Sequence, residues 1–181
     1  MTKIDNQFGS WKNTSLYPND WAKPTVNWIC AVLGVTGAHY EIRNRCKHGS
    51  GIAFFREKKI RCRLSRKNFK KEWRYNNQLW DKSRIVKNGL EAFVFLLAHE
   101  TAHISQEGLW NYYSCLREGL DNKKFLKKTE YKIQEMASSV LEQYRKSEGK
   151  KLLLIYKRSI KKKIALKKVR KETVCTKNFR A

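Results

Sequence analysis

The feature that most constrains this chain is the segment His99-Glu100-Thr101-Ala102-His103, which has the form H-E-x-x-H. On an α-helix, side chains four residues apart lie one above the other, so His99 and His103 can direct two imidazole nitrogens at one metal ion. Neutral imidazole suits Zn²⁺, and a hydrolytic zinc site keeps one coordination position for water. Glu100 is adjacent to a ligand without being one, so it is the predicted catalytic base and acid.

The residues around this motif predict a buried helix. Asn88 is a good N-cap residue, Glu91 follows it at the spacing of a capping box, and Gly108 is the predicted stop. The apolar stripe at helical spacing consists of Leu90, Phe93, Val94, Leu97 and Ala98. The alternative is a chance occurrence of the motif, which is rare in a chain of this length. The helical context favours a metal site.

A second helix, predicted over residues 129–146, offers a third ligand. Its apolar positions are Ile133, Met136, Ala137, Val140, Leu141 and Tyr144. Glu130 projects from the inward edge of the first turn, whereas Glu135 and Glu142 share the polar face. A carboxylate beside an apolar stripe needs a partner, and a metal ion is a suitable one. Glu107 is a weaker candidate, because ligands rarely come from three successive turns of one helix.

Residues 38–64 have the pattern of β-strands. A strand containing Tyr40 and Ile42 is followed by a Gly49-Ser50-Gly51 break and then by a predicted hairpin. In the second hairpin strand, apolar and basic residues alternate strictly, namely Ile60, Arg61, Cys62, Arg63 and Leu64. This alternation predicts an exposed antiparallel edge strand with one buried face and one basic face. Ile60, Cys62 and Leu64 are therefore the predicted substrate-binding residues, holding a peptide by β-augmentation.

The length of 181 residues predicts one domain with extensions. Residues 1–20 have no regular apolar period and are predicted to form an irregular arm. Residues 21–149 are the predicted domain, which includes a short helix from Pro24 to Val35 ended by Gly34 or Gly37. Residues 150–181 are a basic tail, either an amphipathic helix or disordered. The expected fold class is α+β, with a short antiparallel sheet or hairpin packed on the motif helix and on the ligand helix after it.

Charge is the strongest compositional signal. The chain has 40 Lys and Arg against 16 Asp and Glu, a net charge of +24. Residues 41–90 carry a net +12 and residues 143–181 a net +13, whereas residues 91–142, which contain the motif, carry −2. This separation predicts accessory surfaces that bind DNA or RNA. The aromatic residues among the cations are Phe69, Trp73, Tyr75 and Trp80; they would stack on bases or, as we favour, fill the core.

The remaining composition bears on the compartment. Five cysteines without a C-x-x-C pair indicate reduced thiols and no cysteine zinc site. The first residues lack the apolar stretch of a signal peptide, and no run approaches the 18 apolar residues of a membrane span. We expect an intracellular protein, cytoplasmic or associated with a nucleoid or nucleus, and not a secreted one.

The motif helix followed by Glu130-Tyr131-Lys132-Ile133-Gln134-Glu135-Met136-Ala137 resembles the small gluzincin-type zincin metallopeptidases. Within that group the chain is similar to the ImmA/IrrE-like peptidases and more loosely to SprT-like domains. In ImmA/IrrE-like peptidases a strand pair precedes the motif helix. A later helix of the form E-x-x-A-[ND]-x-x-A then supplies the third zinc ligand. The resemblance covers residues 38–145 and implies that His99, His103 and Glu130 are the zinc ligands.

The sequence departs from the patterns of these families at two points. Ile133 and Gln134 occupy the positions of the usual Ala and Asp or Asn. SprT-like domains use a third histidine after the motif, and no histidine follows His103 in this chain. The chain therefore matches the glutamate-ligand pattern better than the three-histidine pattern.

The leading hypothesis from the sequence is a zinc-dependent metallopeptidase that cleaves a protein substrate and is localised to nucleic acid by its basic surfaces. The alternative is a nucleic-acid-binding protein on a peptidase-like fold, with a structural or inactive metal site. Cleavage abolished by chelation would favour the first hypothesis. Tight nucleic-acid binding without cleavage would favour the second.

Overall fold

The computed structural model describes residues 8–44, 50–64, 86, 89–148, 151, 154–161 and 165. The strands are β1 (Phe8–Asn13), β2 (Ala38–Asn44), β3 (Ser50–Phe54) and β4 (Lys59–Leu64). The helices are α1 (Asn19–Val32), α2 (Gly89–His103), α3 (Gln106–Arg117) and α4 (Asn122–Gln143). A π-helical turn, Tyr144–Glu148, extends α4. The predicted α+β class is confirmed.

The four strands form one mixed sheet in the order β1-β2-β4-β3. β1 pairs with β2 and β2 pairs with β4 in parallel, whereas β3 and β4 form the predicted antiparallel hairpin. β1 lies where the sequence predicted an irregular arm. Gly9 and Ser10 leave this strand without an apolar alternation, so the sequence does not reveal it. The strand forms nevertheless, because backbone hydrogen bonds to its one neighbour can hold an edge strand.

The prediction that β4 is an exposed edge strand is wrong. β4 is an interior strand that pairs with β2 on one side and β3 on the other, so the free edge belongs to β3. Ile60 and Cys62 are fully buried in the core and cannot contact a substrate. Leu64 pairs with Asn44 through its backbone. The error has a physical cause: alternation reports one buried face of a strand, and it is the same whether or not the strand is paired on both sides.

Helix α1 begins at Asn19, so the predicted first residue Pro24 lies inside the helix. The helix is ended by Gly34, the first of the two glycines predicted to stop it. Gly34 adopts a left-handed conformation with φ of 63°, and the Val35 N–H donates to the Cys30 carbonyl at 2.9 Å. This is a glycine-terminated helix end of the Schellman type.

Helix α2 is the centre of the core. Ten of its 15 residues are buried, because the sheet, α1 and α4 surround it. The Phe93 ring lies 4.7 Å from each of the Tyr17 and Trp21 rings, measured between centroids. Tyr156, from the helical residues 154–161, contacts Trp21 at 5.5 Å. The start of the predicted basic tail therefore packs on the domain, and residues 166–181 lie outside the described part of the chain.

The α2–α3 junction differs from the prediction. Helix α2 ends at His103, and Gly108 is not its stop but the third residue of α3. A Cβ atom at Gly108 would collide with the Ala102 carbonyl oxygen, so glycine is needed for this close approach. The Ser105 hydroxyl accepts from the Gly108 N–H at 3.1 Å and donates to the Ala102 carbonyl at 2.7 Å. These contacts turn the chain sharply just after the second histidine.

Helix α4 begins at Asn122, seven residues before the predicted start. Asp121 is its N-cap and accepts from the Lys124 N–H at 2.9 Å. The extra turns were missed because Lys123, Lys124 and the exposed Leu126 do not follow the apolar stripe of the later turns. Among the described ranges, no helix has both the length and the apolarity to cross a membrane.

Candidate metal centre

Helices α2 and α4 bring together the three predicted ligands. The His99 and His103 rings lie on one face of α2 with centroids 5.0 Å apart. Glu130, in the third turn of α4, places Oε2 3.2 Å from His99 Nε2 and Oε1 3.5 Å from His103 Nε2. All three side chains are partly buried, with one ligand atom of each within 4.8 Å of the others. The face argument made for Glu130 from its position on the helix therefore agrees with the geometry.

This donor set fits Zn²⁺ by its chemistry and its spacing. Two imidazole nitrogens and one carboxylate oxygen are a common set of three protein ligands in catalytic zinc sites. Ligands at roughly 2.05 Å from a tetrahedral ion are separated from one another by about 3.3 Å. The separations of 3.2 and 3.5 Å run from the two histidines to different Glu130 oxygens, and one ligand atom of each of the three residues lies within 4.8 Å of the others. The three side chains are thus close enough to share one ion.

In the metal-free triad, each side chain shifts the pKa of at least one of the other two. Burial lowers the pKa of His99, but the hydrogen bond to Glu130 and the nearby carboxylates outweigh it, so the net shift is upward. Burial and the neighbouring His99 lower the pKa of His103 to about 4. Burial raises the pKa of Glu130, yet its hydrogen bond and attraction to the histidines produce a net lowering. At neutral pH the triad thus presents an ionised carboxylate and a neutral His103, as cation ligation requires.

Glu100, the predicted base, is buried on the sheet side of the two histidines. Its burial raises the pKa of the carboxyl from 4.5 to about 7, with His99 opposing and Glu130 adding to the shift. A carboxyl group that titrates near neutral pH can both accept and return a proton.

Gly51 is a site residue that the sequence interpretation missed. It lies on β3, and a Cβ atom there would collide with the carboxylate of Glu100. The free edge strand can therefore pass directly beside the predicted base. The signal was available, because an isolated glycine within a strand often marks a close approach of another group. The sequence pattern instead predicts a break between strands at Gly49-Ser50-Gly51, whereas Ser50 and Gly51 belong to β3.

Several further contacts position α2 and its first histidine. The Gln134 side chain, one turn after Glu130, also hydrogen bonds the His99 ring. On the opposite side of the motif, the Tyr40 hydroxyl lies 2.8 Å from Thr101 Oγ1 and 3.2 Å from Cys30 Sγ. This buried contact links β2, α1 and α2. A side chain that bonds a ligating imidazole, as Gln134 does, fixes the direction of that ring.

Glu91, at the start of α2, forms an ion pair with the turn after α4. Its buried carboxylate accepts from Arg145 Nη2 at 2.6 Å and from Nε at 3.2 Å. The two bonds tie the first turn of α2 to the π-helical turn after α4. Asn88, the predicted capping partner, lies outside the described residues. The two ligand helices are thus joined at the end opposite the histidines.

Glu107, the weaker ligand candidate, does not join the triad. Glu107 is exposed, and its Oε1 lies 2.9 Å from Lys132 Nζ. His39 lies on the outer surface of the sheet, with Nδ1 2.8 Å from the Ser10 hydroxyl. His48 and the aromatic residues of segment 65–85 fall outside the described ranges.

Aromatic rings continue outward from His103. The Phe55 ring, in the turn after β3, stands edge-on to the His103 ring at 6.2 Å. It contacts Tyr112 of α3 at 5.5 Å, and Tyr112 contacts Phe125 of α4 at 5.3 Å and Tyr113 at 5.6 Å. We call Phe55, Tyr112, Tyr113 and Phe125 the aromatic wall.

The other face of the sheet is basic. Side chains of β1, β2 and β4 that point away from the helices include five cations, namely Lys12, Arg43, Lys59, Arg61 and Arg63. Glu41 is the one carboxylate on these strands, and it binds Arg43 and Arg61, which hold its pKa below the usual value. Arg61 also lies over the Phe54 ring, 5.4 Å from its centroid. We call this surface the basic sheet face.

Comparison with protein-family models, with curated proteins and with solved structures finds no match to this chain. The candidate site therefore has to be interpreted from its own geometry.

Proposed function

We propose that this protein is a zinc-dependent metallopeptidase that hydrolyses peptide bonds of a protein substrate. The observation that carries the proposal is the convergence of His99, His103 and Glu130 beside a buried glutamate. A structural zinc site would use four protein ligands, whereas three ligands leave a position for reaction. The order of motif helix and glutamate helix also supports a relation to ImmA/IrrE-like peptidases.

Zn²⁺, when bound by these three side chains, would supply a Lewis acid that polarises the peptide carbonyl and acidifies water. Glu100 would take a proton from the attacking water as the new C–O bond forms. The same carboxyl group would then give that proton to the leaving nitrogen as the C–N bond breaks. Its burial beside the two histidines places the carboxyl group where both steps would occur.

The substrate would bind as an extended strand along the free edge of β3. β3 ends the sheet order, and it passes Glu100 at Gly51, where no side chain intervenes. Backbone hydrogen bonds to an edge strand hold a peptide with little dependence on its sequence. This assignment replaces the sequence-based expectation that β4 forms the edge.

The test is proteolysis by the zinc-reconstituted full chain, measured as new amino termini from an unfolded protein such as reduced casein. Chelation should abolish cleavage. Glu100→Gln should retain zinc and slow cleavage roughly 10²–10⁴-fold, the usual contribution of a general acid–base. Glu135→Gln, which changes an exposed carboxylate on the same ligand helix, is the matched control and should cleave normally. Undiminished cleavage by Glu100→Gln, or by the chelated protein, would refute this mechanism.

The basic sheet face favours a second role, nucleic-acid binding, which would localise the peptidase. Five cations and one carboxylate on adjacent strands form a surface complementary to a phosphate backbone. If nucleic acid binds tightly and no candidate protein is cleaved, the alternative function becomes the better one. That alternative is a nucleic-acid-binding protein whose metal site is structural or inactive.

A further inference from the structure

The aromatic wall is an apolar surface beside the candidate metal site. Phe55 is 39% exposed and Tyr113 57% exposed, and neither belongs to the buried core clusters. Exposed aromatic rings in mutual contact are unfavourable in water unless something covers them, so such surfaces commonly mark binding sites. The wall begins at His103, since the Phe55 and His103 rings are in contact.

Most of the wall lies in a segment without an excess of positive charge, so a polyanion is not its favoured occupant. The segment 91–142, which contains α3, α4 and most of α2, carries a net −2 in a chain of net +24. The cations of α4 nearest the wall are partly neutralised, as where Lys128 Nζ lies 2.6 Å from Glu118. A largely aromatic surface fits an apolar side chain of a polypeptide.

The wall also lies on the path of a peptide held by β3. Phe55 is the residue immediately after that strand, and its ring reaches back to His103. A peptide paired with β3 would pass Glu100 at Gly51 and bring one of its side chains against Phe55 and Tyr112. Rings stacked edge to face accept another ring in the same geometry.

We propose that the aromatic wall is a specificity subsite that receives an apolar, preferentially aromatic, substrate side chain on the His103 side of the reacting bond. This inference rests on the proposed peptidase function and names its substrate class: polypeptides with an exposed or unfolded segment containing Phe, Tyr, Trp or Leu. Phe55 and Tyr112 are the residues that set the preference.

The test uses two small peptide hydroxamates that differ only in one side chain, benzyl or methyl, next to the metal-chelating group. Their affinities for the zinc-reconstituted full chain are measured by calorimetry. The benzyl compound should bind about tenfold or more tightly than the methyl compound, because it covers the exposed rings. Phe55→Ser and Tyr112→Ser should each remove most of that preference, because they weaken binding of the benzyl compound more than binding of the methyl compound.

Trp110→Ser is the matched control. Trp110 is an aromatic residue of the same helix and is 69% exposed, but it lies two positions from Tyr112, about 200° around the helix, near Leu33 and Glu107. It should keep the full benzyl preference. Circular dichroism of each variant shows whether the fold is retained, and Phe55→Leu, which stays apolar, should keep part of the preference.

The outcomes separate the two proposals. Equal binding of the benzyl and methyl compounds by the unmutated protein would overturn the subsite while leaving the metal site in place. A benzyl preference that survives in the Phe55→Ser/Tyr112→Ser double variant would place the subsite elsewhere and overturn the assignment. Absence of zinc-dependent binding by either compound would contradict the metal site itself, and the subsite with it.

Discussion

The two faces of the sheet have opposite chemistry. On the helix side, Tyr40, Ile42, Ile60 and Cys62 are buried against α1 and α2, and the candidate metal site lies at the edge of this packing. On the other side, the intervening residues of the same strands form the basic sheet face. One alternating sequence thus serves both surfaces, because successive side chains of a strand point in opposite directions. The cations of the basic sheet face are therefore separated from the candidate metal site by the sheet itself.

Nucleic-acid binding by the basic sheet face should be separable from zinc binding on the helix side. The triple variant Lys12→Gln/Lys59→Gln/Arg63→Gln should bind labelled DNA or RNA roughly 10–100-fold more weakly at low salt, by fluorescence anisotropy. The slope of log affinity against log salt should fall by about 2.7 on duplex DNA, since each phosphate contact contributes about 0.9. Zinc content should not change.

The matched control for that variant is Lys123→Gln/Lys127→Gln/Lys146→Gln, which removes the same charge from exposed positions of the helical side. It should retain most of the affinity. If both triple variants weaken binding equally, the effect depends on total charge and the basic sheet face has no special role. Undetectable binding by the unmutated protein at low salt would remove nucleic acid as a partner.

A second prediction concerns Glu100 in the chelated, metal-free protein. The pKa of Glu100 is about 7 in the folded state, against an ordinary value of 4.5. Between these two pH values the folded state keeps a proton that the unfolded chain has lost. The stability that this proton provides is fully present below pH 4.5 and is lost as pH rises through about 7. Glu100→Gln does not titrate. Its free energy of unfolding should therefore exceed that of the unmutated protein increasingly across this range, by up to about 3 kcal/mol.

Denaturant unfolding at pH 4.5, 6 and 8 measures that difference. The control Glu135→Gln, which changes an exposed carboxylate, should show no such trend. A difference between Glu100→Gln and the unmutated protein that is independent of pH would mean that Glu100 is not held in a low-dielectric site.

A third prediction concerns the close approach of β3 to α2. Gly51→Ala places a methyl group against the Glu100 carboxylate and should cost about 1–3 kcal/mol of stability, as overpacking does, with a loss of peptidase activity. Gly89→Ala is the control, because its Cβ would meet only the Tyr17 hydroxyl at 3.5 Å, an ordinary contact. Thermal unfolding of both variants measures the contrast. Equal stability of Gly51→Ala and Gly89→Ala would contradict the described strand position.

The smallest expected effect is at Tyr40. Tyr40→Phe removes the hydroxyl that contacts Thr101 and Cys30, at a cost of about 1 kcal/mol for a buried hydrogen bond. Denaturant unfolding measures this loss. If the contact also orients the motif helix, the zinc affinity of Tyr40→Phe should fall slightly. A variant as stable as the unmutated protein would show that the contact does not contribute to the stability of the fold.

Much of the site could be predicted from sequence because it depends on short spacings. The i and i+4 relation of His99 and His103 is fixed by helical geometry, and Glu130 could be placed by the apolar stripe around it. The fold class also followed from the alternating and helical patterns. These signals depend on local periodicity, which a helix or strand imposes on any chain.

The features of the fold that the sequence does not predict depend on pairing between distant segments. β1 joins the sheet through its backbone, so its side chains carry no pattern that reveals the strand. The choice of β3 over β4 as the edge strand depends on the parallel pairing of β2 with β4, which no spacing records. Gly51 and Gly108 matter because of close approaches across space, and in sequence a glycine signals a turn equally well.

Zinc affinity is the direct test of whether three side chains on two helices hold one zinc ion. After zinc reconstitution and dialysis, the full chain should carry about one Zn²⁺, and His99→Ala/His103→Ala should carry none. Glu130→Ala should weaken zinc binding by more than the roughly 10–100-fold typical of residues that only support ligands. Glu107→Ala, which changes a nearby exposed glutamate outside the triad, should bind zinc as the unmutated protein does. Equal zinc affinity in Glu130→Ala and the unmutated protein, or no zinc in the latter, would contradict the account.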